Sequence, residues 1–178
     1  MFSGYDIKIY SPKELGINVN PDENGETYEA NSLIKARALA EFTKMAIIAD
    51  DSGLNVVALN NFPGIHSSRF ADSCGGNKFA NPELIKKLEP YKDKSAFFTC
   101  VITLLNVGKK PVIFEGICPG IILSKPEGEG GFGYDPIFYS TEAKQCFGTA
   151  SEDVKNKYSH RAKAMAQLIE YLKSKKLI

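Results

Sequence analysis

The densest chemistry in the sequence lies at Asp50-Asp51-Ser52-Gly53. An apolar run from Ala46 ends there in acid, the pattern of a buried strand delivering charge at its tip. Successive strand side chains point to opposite faces, so only one of two adjacent aspartates looks into a given cleft. Carboxylate oxygens suit a hard divalent cation, and Gly53 permits a sharp turn. Asp-Asp-Ser-Gly is also ordinary turn chemistry, and turn propensity explains it equally well. Asp22 and Glu23 offer a second acidic pair, within the Asn-, Asp-, Pro- and Gly-rich stretch from Asn18 to Gly25.

Gly128 to Pro136 (GEGGFGYDP) joins a glycine run to two aromatics and a carboxylate. Glycines let backbone amides approach a ligand, an aromatic face stacks on a base, and a carboxylate accepts base N–H groups. The G-x-x-x-x-G-K-[ST] of a P-loop is missing, as is the strand-then-helix setting of a dinucleotide fingerprint. Composition alone favours a long hairpin connection with Phe132 and Tyr134 covering the core. Lys155, His160 and Arg161 flank Ser159, a residue type that caps helices. Helix N-termini attract anions, and cations placed there oppose the dipole, which points to a ligand rather than to helix stability. The competing reading is a solvated Arg and His. Lys35, on the first long helix, reads by itself as a surface charge, and His66 sits in a turn with no partner that can be named.

These residues need elements to hold them. Asp6 to Tyr10 alternates and reads as a short half-buried strand. Thr27 can cap a helix running through Leu33, Ala36 and Ala40 to about Lys44. Ala46 to Asp50 and Asn55 to Leu59 read as two β pieces, and Pro63-Gly64 as a turn. Pro82 to Leu88 reads as a short helix with proline in its tolerated first turn. Ala96 to Val107 and Val112 to Leu123 are the longest β-rich runs, and Gly108-Lys109-Lys110-Pro111 between them predicts an antiparallel pair. A last helix opens after Ser159, places Met165, Leu168, Ile169 and Leu172 on one face, and ends in a Lys-rich turn.

The chain has 178 residues, 22 basic against 21 acidic side chains and a net charge of +1, so no global field marks a nucleic-acid or membrane partner. An anionic ligand must be held by a local cluster. No stretch approaches the roughly 18 apolar residues that cross a bilayer. Met1 to Tyr10, broken by Asp6 and Lys8, lacks the apolar run of a signal peptide. Cys74, Cys100, Cys118 and Cys146 are widely spaced, with no C-x-x-C, and fit reduced thiols in a cytoplasmic protein of one domain spanning residues 1–178.

Taken in order, N-S-L-I-K-A-R (Asn31 to Arg37), A-D-D-S-G-L (Ala49 to Leu54), P-G-I-x-S-x-R-F (Pro63 to Phe70), G-G-F-G-Y-D-P-I-F (Gly130 to Phe138) and K-x-x-x-x-H-R (Lys155 to Arg161) resemble the inosine-triphosphate pyrophosphatases, also described as XTP/dITP diphosphatases. The resemblance spans nearly the whole chain. It implies an elongated, two-lobed α/β fold with a mixed sheet, an active cleft between the lobes, and a homodimer. It implies Mg²⁺ as cofactor and hydrolysis of ITP, dITP or XTP to the monophosphate and pyrophosphate. Asp51 matches the catalytic, metal-holding aspartate, with Asp50 facing away or supporting it. Asp22 sits where the family has an acidic metal ligand, usually glutamate, and Glu23 is the alternative. Lys35 matches a phosphate-facing lysine, and Ser52 a substrate-contacting serine. Phe132, Gly133, Tyr134 and Asp135 match the base-binding loop, and Lys155, His160 and Arg161 the residues that read the purine edge. Family members open with a strand and a turn of the form [ST]-x-N-x-x-K that grips the triphosphate. No such motif precedes Asp6, so the expectation is a chain without that strand and loop, and with an apolar sheet edge laid open. A purine-nucleotide-binding relative that has lost turnover is then the alternative reading.

Overall fold

The computed structural model describes residues 4–5, 7–128 and 130–178. Thr27 caps α1 (Tyr28–Ala40), its Oγ1 accepting from the Ala30 amide at 3.1 Å. The helix stops short of the expected Lys44. Ala36, Leu39 and Ala40 exhaust its apolar face against Ile47, Ala49 and Leu105, and the chain must then turn back into the sheet.

Strand β1 (Ile47–Val56) is one continuous element where two pieces were expected. Asp50, Asp51, Ser52 and Gly53 therefore sit inside a strand, not at a turn. Turn propensity is overridden because each acid finds a cationic partner on its own side of the sheet. Gly53 serves close approach: a Cβ there would lie 2.7 Å from Tyr28 Oη and 2.8 Å from Ser67 Oγ. A tight turn through Asn60 and Asn61, both at positive φ, leads to β2 (Phe62–Pro63), which pairs with Asn55 and Val56 of β1.

Two helices follow, α2 (Ser67–Ser73) and α3 (Asn77–Leu88). The second begins earlier than expected, so Pro82 lies inside it. Burial of Ala80, Asn81, Leu84 and Leu88 offsets the hydrogen bond that proline cannot donate. Strands β3 (Ser95–Leu105) and β4 (Val112–Ile122) form the expected hairpin, closing at Leu104 opposite Val112. Two short strands, β5 (Phe138–Ser140) and β6 (Gln145–Cys146), complete a sheet of order β2-β1-β3-β4-β5-β6. Ser151 caps α4 (Glu152–Tyr158), and Ser159 caps α5 (His160–Ser174).

The fold is α/β, as expected. The resemblance implied a mixed sheet, but every pairing among the described residues is antiparallel. Residues 7–10 form no strand: they line the groove beside Ile47 and Ile48 without pairing to them, Ile9 and Tyr10 stay exposed at 58% and 45%, and Asp6 lies outside the described residues. Met1 to Ser3 lie outside them too. Beyond β2, the free edge of β1 has no strand neighbour among the described residues and borders an apolar groove of about 340 Å³ lined by Leu39, Ile47 and Leu104.

The two sheet faces carry different cores. On one, α1 covers Ile47 and Ala49. On the other, α5 buries Ala164, Leu168 and Leu172 on Cys100, Ile102 and Leu104, while a second cluster joins Leu54 and Phe98 to Leu84, Tyr134 and Phe138.

Candidate active site

Strand alternation sends Asp51 toward α1 and Asp50 toward α5. Asp51 is 7% exposed, accepts from Lys35 Nζ at 2.9 Å and from Asn31 Nδ2 at 3.3 Å. Lys35 also pairs with Glu23 Oε1 at 3.2 Å, so two carboxylates converge on one ammonium. Burial raises the Asp51 carboxyl above the usual range, with the Glu23 charge adding to it, and the Lys35 and Asn31 contacts offset this only in part. Burial pulls Lys35 downward, but Asp51 and Glu23 outweigh it and hold the ammonium above its usual range.

Asn31 and Lys35 stand one helical turn apart and share a face of α1. Asn31 is fully buried, and its Oδ1 accepts from the Gly25 amide at 2.8 Å, which ties the acidic loop to the helix. Arg69 fixes the same loop by donating to the Glu23 carbonyl at 2.9 Å. Asp22 is exposed, and the acid that this loop brings to Lys35 is its neighbour Glu23.

On the opposite face, Arg161 donates to Asp50 Oδ2 through Nε at 3.2 Å and Nη2 at 2.9 Å, and Ser52 Oγ donates to the same oxygen at 3.2 Å. Burial opposes ionisation of Asp50, but the Arg161 charge and hydrogen bonds hold its carboxyl below the usual range. Beside Arg161 on α5, His160 stacks on Phe98, with ring centroids 4.7 Å apart and planes inclined by 14°. Its Nδ1 is sealed from solvent without a partner among the described residues. Burial, reinforced by the Arg161 charge, lowers its pKa to about 3, so the imidazole is neutral at physiological pH.

The glycine-rich loop closes over a third pair. Lys155 Nζ lies 2.9 Å from Asp135 Oδ2, which also accepts from the Phe132 amide at 2.8 Å. The two aromatics of this loop part company. Phe132 is 86% exposed, whereas Tyr134 is buried and donates its hydroxyl to the Ser67 carbonyl at 2.7 Å. Asn81 on α3 donates to the Gly133 carbonyl at 3.2 Å and holds the loop from beneath.

The structure thus gathers the expected residues into two groups on either face of β1. Asp51 and Lys35 form one, joined by Glu23 and Asn31. Ser52, Lys155, His160, Arg161 and the 130–135 loop lie on the other side, with Asp50 as their link to the strand. Neither group holds three His, Cys, Asp or Glu side chains disposed to coordinate a metal among the described residues. Asn31, Asn81, Arg69 and Phe98 carry roles that the reading of single residues missed. For Asn31 a signal existed in its i, i+4 spacing from Lys35. Asn81 and Phe98 had none, since their contacts are made across the fold.

Comparison with known proteins bears on this arrangement. A model of the Ham1 family matches residues 1–171. A dITP/XTP pyrophosphatase of Thermoanaerobacter pseudethanolicus is 42% identical over 173 residues, which cover 96% of this chain and 87% of that protein. One from Leptospira interrogans is 39% identical over 171 residues, covering 95% and 86%. Among solved structures, a HAM1 protein from Coxiella burnetii superposes with a TM-score of 0.86 at 36% identity, covering 96% of this chain and 88% of that one. The Staphylococcus aureus Ham1 protein gives 0.85 at 35%, covering 92% and 85%.

Proposed function

Because the chain belongs to the Ham1 family, we propose that it hydrolyses non-standard purine nucleoside triphosphates (ITP, dITP and XTP) to the monophosphate and pyrophosphate. The convergence of Asp51 and Glu23 on a single cation, one residue along the strand from the acid that holds Arg161, carries this reading. No observation favours a relative that binds nucleotide without turnover.

The ammonium of Lys35 stands in for a metal and serves as the test of fit. Two carboxylates already face one positive charge, and an all-oxygen donor set suits Mg²⁺. Asp51 and Glu23 would hold the ion, with Asp22 as the reserve ligand one position away. An ion held there would supply positive charge to the triphosphate and the leaving pyrophosphate. Lys35, beside the same acids, would offer its charge to the phosphate oxygens. The second oxygen of Asp51 would orient the attacking water and accept its proton. Asn31 keeps that carboxylate from rotating.

On the other face, Phe132 offers an exposed ring for stacking on the base, and Gly133 and Tyr134 shape the loop that presents it. Asp135 accepts purine N–H groups, while Lys155, His160 and Arg161 donate to the purine edge, with Ser52 keeping Asp50 on Arg161. Hypoxanthine and xanthine carry an oxygen acceptor at C6, where adenine carries an amino donor. Donors at this edge therefore pair with the former and are left unpaired by the latter, which gives discrimination of order 10⁴.

The 178 residues work as one domain in this reading, as a homodimer in the cytoplasm. Four free cysteines, three of them buried, fit a reducing compartment. The experiment is incubation with ITP and Mg²⁺ followed by chromatography of the products. IMP and pyrophosphate are expected, and IDP with phosphate as the main products rejects cleavage at the α–β bond.

A further inference from the structure

The two ring nitrogens of His160 meet different surroundings. Nδ1 is shut away from solvent and has no partner among the described residues, whereas Nε2 is not sealed in this way and no described side chain bonds it. A buried N–H without an acceptor is rarer and costlier than a buried lone pair without a donor. The proton of a neutral imidazole therefore goes to Nε2, and Nδ1 keeps its lone pair.

Packing holds the ring in this setting. Phe98, 6% exposed on β3, covers one face of the imidazole in a near-parallel stack. Phe98 is itself pinned edge-on by Phe138, at 4.6 Å and 62°, and Phe138 leans on Phe147 at 5.4 Å. Phe138 and Phe147 have 0% and 1% exposure, so the row of rings has no room to shift. The stack fixes the plane of the imidazole and with it the setting in which Nδ1 is sealed; a ring free to tilt would open Nδ1 to water and to a proton.

We propose that Phe98 is a specificity-determining positioning residue, which holds His160 in the Nε2–H tautomer so that the imidazole meets the purine edge as a donor. This rests on His160 reading that edge, as set out above. A histidine free to change tautomer could donate to a C6 oxygen or accept from a C6 amino group, and would not discriminate. Locked as a donor, it pairs with hypoxanthine or xanthine and leaves adenine unpaired. The lowered pKa agrees, since burial and Arg161 keep the second proton off while Asp50 only weakly favours it.

The chain has two histidines, so nitrogen chemical shifts from a long-range ¹H–¹⁵N spectrum assign the tautomer of His160 against His66 in the unmodified protein. The expected result is a protonated Nε2 and a bare Nδ1. Phe98→Leu should give mixed tautomers and lower the ITP-over-ATP ratio of kcat/KM by about 5- to 10-fold, the equivalent of one hydrogen bond. Phe98→Tyr, which keeps the ring, should restore both. A proton on Nδ1 in the unmodified protein overturns the proposal whatever the variants do. An unchanged ratio in folded Phe98→Leu overturns it as well, and His160→Leu then tells which idea failed. If His160→Leu lowers the ratio, base reading stands without Phe98; if it does not, the base-reading assignment has failed and the proposal with it.

Discussion

Burial opposes ionisation of both Asp50 and Asp51, but Arg161 outweighs it at Asp50, and Lys35 with Asn31 does not at Asp51. A carboxyl depressed in the fold adds stability above its ordinary pKa, and that stability is lost as the pH falls through the folded value. One raised in the fold costs stability when ionised. Asp51→Asn should therefore abolish turnover while leaving the melting temperature unchanged or slightly higher. Asp50→Asn should cost stability instead, about 0.5–1 kcal/mol given that the pair is half-exposed, and retain most kcat. Thermal melts beside ITP turnover of the two variants check this crossing, and a wild-type rate for Asp51→Asn rejects its role. Arg161→Ala removes a charge-assisted donor, so kcat/KM for ITP should fall about 10- to 150-fold, with ATP turnover much less affected. Equal losses for both substrates would make Arg161 a phosphate contact or a structural residue.

At the scale of elements, α5 carries two of the residues proposed to read the base at its first turn, and β4 decides where that turn sits. A Cβ on Gly116 would lie 2.5 Å from the Ala164 amide and 3.0 Å from Lys163 Cβ. Backbone cannot rotate out of the way, so Gly116→Ala must lift the head of α5. The expected loss is about 1–3 kcal/mol of stability together with a drop in ITP-over-ATP preference, read by denaturant melts and paired assays. Much of this layer was legible in sequence. The β3–β4 hairpin follows from two long β-rich runs around Gly108 to Pro111, and the Ser159 cap from residue type. The unity of β1 was not legible, because turn-prone Asp-Asp-Ser-Gly belongs to a strand only once Lys35 and Arg161 arrive from distant helices. The early start of α3 was hidden for a similar reason, since burial of Ala80 and Asn81 against the rest of the fold outweighs an internal proline. Tyr134 and Phe132 look alike in sequence, and only packing on Ser67 separates anchor from exposed ring.

At the scale of the whole molecule, His160 ties global stability to pH. Its pKa falls from an ordinary 6.5 to about 3 on folding, through burial and then the Arg161 charge. Between those values the unfolded chain binds more protons than the folded one, so stability rises with pH and is lost as the pH drops below 6.5. The slope from this group is at most about 1.4 kcal/mol per pH unit. Urea melts at pH 7 and pH 5 should show the loss, and His160→Phe should flatten it. An equal loss in that variant would assign the effect to carboxylates.

The placement of two unlike halves on the alternating faces of β1 also bears on how such a protein can change over generations. A point substitution reaches one half at a time, so the two proposed chemistries can be retuned separately. Gain or loss of one codon between Ile47 and Asp50 is another matter. With the downstream pairing held, it leaves both acids in place and inverts the residues before them, taking Ile47 and Ala49 off α1. Between Asp50 and Asp51, it would turn one acid away from its partner. Variation in length is therefore expected in the loops on either side, and variation in composition within the strand.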